Sequence, residues 1–299
     1  MTITWELDFY SRPVLDENQK KIWELLICNS PDRSSQPFQW IKECNAQEVN
    51  SGWLATELKL AIAHNASLGN RDPQKVRFYR PSMTNIITRG CKQAELIPQP
   101  SRRLFTLSSW LQTRMESIYP QREGFIAPDP QPLPLKIGIQ VPVAKPAPDA
   151  LMGESWLVAS LKVADFQEAT EWSMDFGELF ALDHISDPET LISGLIITSS
   201  RALALAAWMA GVDPVALKFE VSEGKIQLIL EAGEESRWIL TTLNTANPKG
   251  QKSAERIPKV ISQAGSFEQA KKNSNGIHFI AIQTSLEVEH FTGFWLLKE

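Results

Sequence analysis

KVRFYRPSMTNIITRGCKQAELIPQPSRRLFTLSSWLQTR, residues 75–114, is the stretch whose reading sets the fold class. Lys75 to Arg80 alternates, with Val76, Phe78 and Arg80 on one side and Arg77 and Tyr79 on the other, which is the period of a short strand. Pro81 ends it. Ser82 is placed to cap a helix with Met83, Ile86, Ile87, Gly90, Cys91 and Ala94 on one face and Asn85, Arg89 and Lys92 on the opposite one. After Pro98 and Pro100, Arg102 to Leu107 is expected as a second strand, and Ser108 or Ser109 as the start of a helix that buries Leu111, Met115 and Ile118. Strand, helix, strand, helix predicts a small sheet with helices packed on it, an α+β arrangement.

Toward the N-terminus, Trp5 to Tyr10 and Lys21 to Cys28 alternate, with Asp16-Glu17-Asn18 as a turn, so they predict a hairpin. Residues 29–50 lack a clear period and are expected as an irregular loop holding Phe38 and Trp40. Ser51 is placed to cap a helix bearing Leu54, Leu58, Ala61 and Ile62, closed by Gly69. On the other side, residues 128–148 hold seven prolines, which lack the amide proton a helix or central strand needs, and predict an extended linker.

Beyond it, Ser155–Val163 and Ile192–Ser199 are expected as strands, the latter central, with a polar helical stretch around Phe166–Trp172. Ser199-Ser200 opens a helix, RALALAAWMAG, that Gly211 is expected to end. Leu217–Leu243 predicts three strands, about Ile257–Lys272 a helix, and Ile277–Gln283 and Phe294–Leu297 two strands. The expected organisation is an N-terminal α+β domain over 1–127, a Pro-rich linker over 128–149 and an acidic α+β domain over 150–299, each domain a mixed β-sheet with helices packed on it.

Charge is distributed unevenly along this frame. The chain of 299 residues carries a net -5, yet residues 71–122 hold ten basic side chains against three acidic ones. Residues 1–128 sum to +3 and residues 129–299 to -8, so only the first half suits an anionic partner. Lys and Arg gain affinity for polyanions by releasing condensed counterions; the plainer reading is a solvated basic face. Cys28, Cys44 and Cys91 show no CxxC spacing, which argues against a disulfide framework or zinc site and for a reducing compartment. MTITWELDFYSRP has neither secretory nor transit-peptide character, and the longest apolar window, Leu203–Gly211, falls short of the roughly 20 residues of a membrane span, so a cytoplasmic location is expected. There is no P-loop, GxGxxG, HExxH or GxSxG, and the four histidines are scattered; no catalytic residue, metal or cofactor is expected.

The blocks WELDFYSRPVLDENQKKIWELLIC, VRFYRPSMTNIITRGCK, PSRRLFTLSSWLQTR, GESWLVASL, SSRALALAAWM, GIHFIAIQT and GFWLL, in this order, resemble the Tab2/Atab2 family of RNA-binding proteins of cyanobacteria, algae and plant chloroplasts. The resemblance implies binding to A/U-rich single-stranded 5′ leader RNA and promotion of photosystem protein synthesis, chiefly photosystem I, with a role in photosystem II suggested for plant members. Without a transit peptide, the chain fits a cyanobacterial, cytoplasmic member. The proline-rich linker departs from the plant pattern.

The resemblance assigns no RNA contacts, so the site is read from the residues. Single-strand recognition needs cations along the backbone path and flat side chains for stacking. Lys75, Arg77, Tyr79 and Arg80 offer both, and Arg89, Lys92, Arg102 and Arg103 could extend the surface. Phe78 shares a face with Val76 and is assigned to the core. A second site could use Arg12, rigidly placed before Pro13, Trp40 in its loop, and Arg201 at a helix N-terminus. For Arg12, an ion pair with Asp8 or Glu6 is the plainer expectation. Two alternatives remain open: a scaffold binding photosystem subunits or a translation factor through the acidic second half, and a magnesium-dependent nuclease using Asp8 and Glu24 with Asp183 or Glu220. DNA is not an expected partner.

Overall fold

The computed structural model describes residues 3–30, 37–127, 142–151, 155–169, 171–182, 185–222, 224–244 and 251–299. Asp183 and residues 128–141 of the expected linker lie outside them. The chain forms two compact units, Met1–Val141 and Pro142–Glu299.

In the first unit, β1 (Thr4–Leu15) and β2 (Lys21–Asn29) form the expected hairpin, with Asp8 opposite Leu26 and Tyr10 opposite Glu24. Its turn is fixed by Asp16 Oδ1, which accepts from the backbone N–H groups of Asn18 and Lys20, both at 2.9 Å. Residues 39–44 are not the irregular loop expected: they form β3 (Gln39–Cys44), an edge strand on β2. α1 (Ser51–Ser67) is capped by Asn50 rather than Ser51; Asn50 Oδ1 accepts from Trp53 N at 2.9 Å. At its other end Gly69 takes φ +81°, the left-handed conformation that a helix stop favours.

β4 (Lys75–Phe78) lies parallel to β1, and α2 (Thr84–Gln93) follows a 3-10 turn over Pro81–Met83. The next strand is not Arg102–Leu107 but β5 (Ile97–Pro100), parallel to β4. Prolines fit there because β5 is an edge strand: Pro98 and Pro100, two apart, both lack the N–H on its unpaired side, while Ile97 N donates to Gln74 O at 2.9 Å. α3 (Phe105–Thr113) starts earlier than expected and runs into a π-helical turn, Arg114–Ile118. The sheet order is β3-β2-β1-β4-β5.

Both faces of this sheet are covered. Trp5, Leu7, Phe9, Leu25, Ile27, Val76 and Phe78 pack with Leu54 and Leu58 of α1 and Ile87 and Cys91 of α2. Gly90 permits the close approach of α2 to α1, since a Cβ there would come 2.8 Å from the Leu54 side chain. On the opposite face Leu26 and Cys28 pack with Leu104 and Leu107 at the start of α3, with Tyr79 and Trp110 beside them.

The second unit begins with β6 (Lys145–Pro146), so the end of the expected linker belongs to a sheet: Trp238 pairs with Lys145 and Ile239 with Pro146. There follow β7 (Ser155–Lys162), a 3-10 segment Val163–Glu168, β8 (Met174–Glu178), β9 (Leu191–Thr198) and α4 (Ala202–Val212). Then come β10 (Pro214–Ser222), β11 (Lys225–Ala232), β12 (Ser236–Asn244), α5 (Gln251–Asn273), β13 (Ile277–Gln283) and β14 (Phe291–Lys298). They make two sheets where one was expected, β10-β11-β12-β6 and β7-β9-β13-β14-β8, with β9 interior as expected. α4 passes through Gly211 and stops at Asp213, whose φ is +64°. Leu195, Ile197, Ile280, Ile282, Trp295 and Leu297 of the five-stranded sheet meet Leu217, Leu228, Leu230 and Leu240 of the other, with α4 and Phe267 of α5 in the same core. The second face of the five-stranded sheet carries its own core around Phe279, Phe294 and Leu296.

Candidate nucleic-acid interface

The alternation of β1 that buries Trp5, Leu7 and Phe9 turns Glu6 and Asp8 to the other face, where α3 excludes water. Glu6 is satisfied by Ser30 Oγ and by the backbone N–H of Leu107, each donating at 2.8 Å. Arg12 Nη2 lies 2.8 Å from Asp8 Oδ2, and Arg12 Nε donates to Glu24 Oε2 at 2.9 Å. Arg80 donates to Asp8 through Nε at 2.5 Å and Nη2 at 3.2 Å. Glu24 also accepts from Arg114 Nη2 and from the Tyr119 hydroxyl. Arg77 Nη1 approaches Ser30 Oγ at 3.4 Å.

Electrostatics follow from this closure. Burial alone would lower the Arg12 pKa, but Asp8, Tyr119 and Glu24 outweigh it and hold the guanidinium above its ordinary value. Burial, with Glu24 accepting its proton, pushes the Tyr119 phenol up to about 12. Asp8 and Glu24 are thus occupied by guanidinium groups, which is the physical objection to using them as magnesium ligands. Glu220, another carboxylate of that reading, pairs with Arg237 in the second unit.

The expected site residues separate into three groups. Arg77 and Arg103 are 6% and 1% exposed, so in the folded unit they belong to its interior and not to a phosphate path. Arg103 Cζ lies over the Phe105 ring, 5.1 Å from its centroid. Lys75, Tyr79, Arg80 and Arg102 are half-buried, with Tyr79 packed beside Leu104 and Leu107. Arg89 and Lys92 are exposed on the side of α2 turned away from the sheet, as its periodicity indicated. The first and third groups therefore lie on opposite sides of the sheet and form no single track.

Of the second set, Arg12 is 3% exposed and ion-paired as the plainer expectation had it. Trp40, on β3, is half-buried against the core, its ring 5.7 Å from that of His64. Arg201 is exposed at the start of α4, its N–H bonded to Ser199 Oγ at 3.1 Å. What sequence reasoning missed is the convergence of Tyr10 with Arg80, whose Cζ stands 4.5 Å from the ring centroid. The signal was present in the parallel pairing of β1 with β4, which the strand pattern alone does not reveal.

The second unit has its own buried polar group. Lys271 Nζ donates to Leu217 O at 2.9 Å and meets Glu268 and Glu299, each at 2.7 Å. His278 Nε2 accepts from Leu217 N at 2.8 Å, and Nδ1 lies 2.8 Å from Gly276 O, an arrangement that suits the neutral ring. Burial lowers its pKa to about 3. These groups tie α5 to β10 and β13.

Fold and surface define an α+β protein of two units whose first half, net +3, has Arg89 and Lys92 exposed on α2 and Lys75, Arg80 and Arg102 half-buried near the ends of the parallel strands β4 and β5. The chain belongs to the Tab2/Atab2 family of RNA-binding proteins. A family model described as "RNA-binding protein Tab2/Atab2 N terminal" matches residues 4–114, and one described as "RNA-binding protein Tab2/Atab2, C-terminal domain" matches residues 134–298. Among relatives, the chain is 35% identical to "Protein TAB2 homolog, chloroplastic" of Arabidopsis thaliana over 303 residues, 98% of this chain and 74% of the relative. It is 35% identical to the protein of the same description from Zea mays over 302 residues, 99% of this chain and 71% of the relative. No described helix is long and apolar enough to cross a membrane.

Proposed function

We propose that this protein binds the A/U-rich single-stranded 5′ leader of a photosystem messenger RNA and promotes its translation, supporting biogenesis of photosystem I and, as a second target, photosystem II, in the cytoplasm of a cyanobacterium. The reading is carried by membership of an RNA-binding family across both units. Exposed Arg89 and Lys92, with Lys75 and Arg102 near the ends of β4 and β5, are the residues assigned to the RNA backbone, and Arg80 belongs to the same RNA-contacting set. Arg77 and Arg103, buried in the unit, are left out of the RNA-contacting set. Gel shifts of the full chain with A/U-rich and G/C-rich single strands across a salt series test it. Preference for the A/U strand and affinity that falls steeply with salt are expected; equal binding of both strands would remove the leader assignment, and no binding would remove the RNA assignment.

A second reading has the acidic second unit dock a translation or photosystem assembly factor. It is favoured by α4, whose outer side leaves Leu203 61% exposed beside exposed Ala204, Ala207 and Ala210. Binding of a protein partner that survives removal of the Arg89 and Lys92 charges, in a chain that no longer shifts RNA, is the result expected of that role.

A further inference from the structure

Past the carboxyl end of β4, Arg80 meets Tyr10 of β1, seventy residues away in sequence, and Arg102 follows the carboxyl end of the neighbouring β5. Leu7 of β1 pairs with Phe78 of β4, and Phe78 with Pro100 of β5. Arg80 and Arg102 each follow two residues after that second pair, past the ends of adjacent strands; Tyr10 lies three past Leu7, within β1. Asp8 takes the edge of the Arg80 guanidinium through two hydrogen bonds, at 2.5 and 3.2 Å, and the Tyr10 ring takes one of its two faces at 4.5 Å. The Arg80 side chain is still 32% exposed.

Open sheets with parallel strands place ligands outside the carboxyl ends of those strands. Unpaired RNA bases are read by stacking on aromatic rings or on guanidinium planes. We propose that Arg80, backed by Tyr10 and aligned by Asp8, is a stacking platform for one unpaired base of single-stranded RNA, and that Arg102 takes the adjoining phosphate. This rests on the RNA-binding reading above and adds the chemistry of one nucleotide subsite. A guanidinium already fixed by a carboxylate and a ring loses little further freedom when a base lands on it. Lysine could supply the charge but has no plane to stack on. Were Arg80 only a clamp for Asp8, the identity of the nucleotide bases would not matter to it.

The test titrates the full chain with a labelled A/U dodecamer and with the same strand carrying abasic central positions, across a salt series. Wild type is expected to prefer the base-bearing strand by roughly 5- to 150-fold, the worth of one stacked base. Arg80→Lys is expected to lose that preference while keeping the salt slope. Arg102→Gln should keep the preference and reduce the slope by about 0.7. An Arg80→Lys protein that still prefers the base-bearing strand as wild type does overturns the platform. Wild type that binds neither strand overturns the RNA reading itself, a different outcome. Because Arg80→Lys also loosens Asp8, wild-type protein is cross-linked in parallel to a 4-thiouridine strand: adducts on the peptides carrying Tyr10 or Arg80 support the subsite, and adducts confined to other peptides refute it.

Discussion

Glu24→Gln isolates the contribution of the buried charged cluster to the first unit. Glu24 has no solvent exposure and accepts from Arg12 Nε at 2.9 Å, from Arg114 and from the Tyr119 hydroxyl. Glutamine keeps the shape but replaces one oxygen by an NH₂ group, which must face either Arg114 or the Arg12 and Tyr119 pair; in both orientations a buried donor meets a donor. The two guanidinium groups also lose their shared counter-charge. Removing one partner of a buried pair costs about 3–5 kcal/mol. The lower figure applies here, since Arg12 keeps Asp8 at 2.8 Å and Arg114 Nε keeps the Tyr119 oxygen at 3.1 Å. For a unit of this size about 3 kcal/mol corresponds to roughly 6–12 °C in Tm. Calorimetry of the full chain, which separates unfolding of two units, reads the shift, with Glu17→Gln in the exposed turn as the neutral control. A loss below about 1 kcal/mol would show that desolvation cancels the attraction and that the cluster is not what holds this face closed.

Arg77→Ala and Arg103→Ala are expected to lower the unfolding temperature of the first unit, whereas Arg89→Ala and Lys92→Ala should weaken RNA binding with stability unchanged; thermal melts and gel shifts on the same preparations separate the two classes. The folded-state pKa of His278, about 3, lies below its ordinary 6.5, so its contribution is complete above pH 6.5 and is lost as pH falls toward 3. Urea titrations of wild type and His278→Gln between those limits should differ in slope by about 1.4 kcal/mol per pH unit; parallel curves would contradict the neutral buried ring. Burial lifts the Cys44 thiol to about 11 and the Cys91 thiol to about 12, and raises Cys28 as well, so the native protein should resist iodoacetamide at neutral pH and label fully in denaturant, as mass spectrometry would report. Gly194→Ala places a Cβ 2.3 Å from the Phe279 ring and should destabilise the second unit by about 1–3 kcal/mol, measured by its calorimetric transition.

Elements with a full run of alternation or a helical period were legible one at a time. The hairpin of β1 and β2, the apolar stripe of α2, the interior strand β9 and the three strands β10 to β12 all stand where their patterns put them. The strands that escaped, β3, β5, β6 and β8, lie at sheet edges. An edge strand is paired on one side only, so it tolerates prolines at 98 and 100 and need not alternate cleanly.

The residues of β1, β2 and β4 themselves determined which side chains share a face, and the count of ten cations over 71–122 marked the first half as the one to meet an anion. Whether that face is wet or sealed was decided only in three dimensions, because α3 covers it and because the carboxylates that hold its arginines come from distant sequence: Asp8 reaches Arg80 across 72 residues and Glu24 reaches Arg114 across 90. Periodicity is a property of neighbours along the chain, whereas the partner of a charge is set by which strands lie side by side. Parallel pairing of β1, β4 and β5 therefore turned Arg77 inward and left Arg80, just past the end of β4, against Tyr10 of β1.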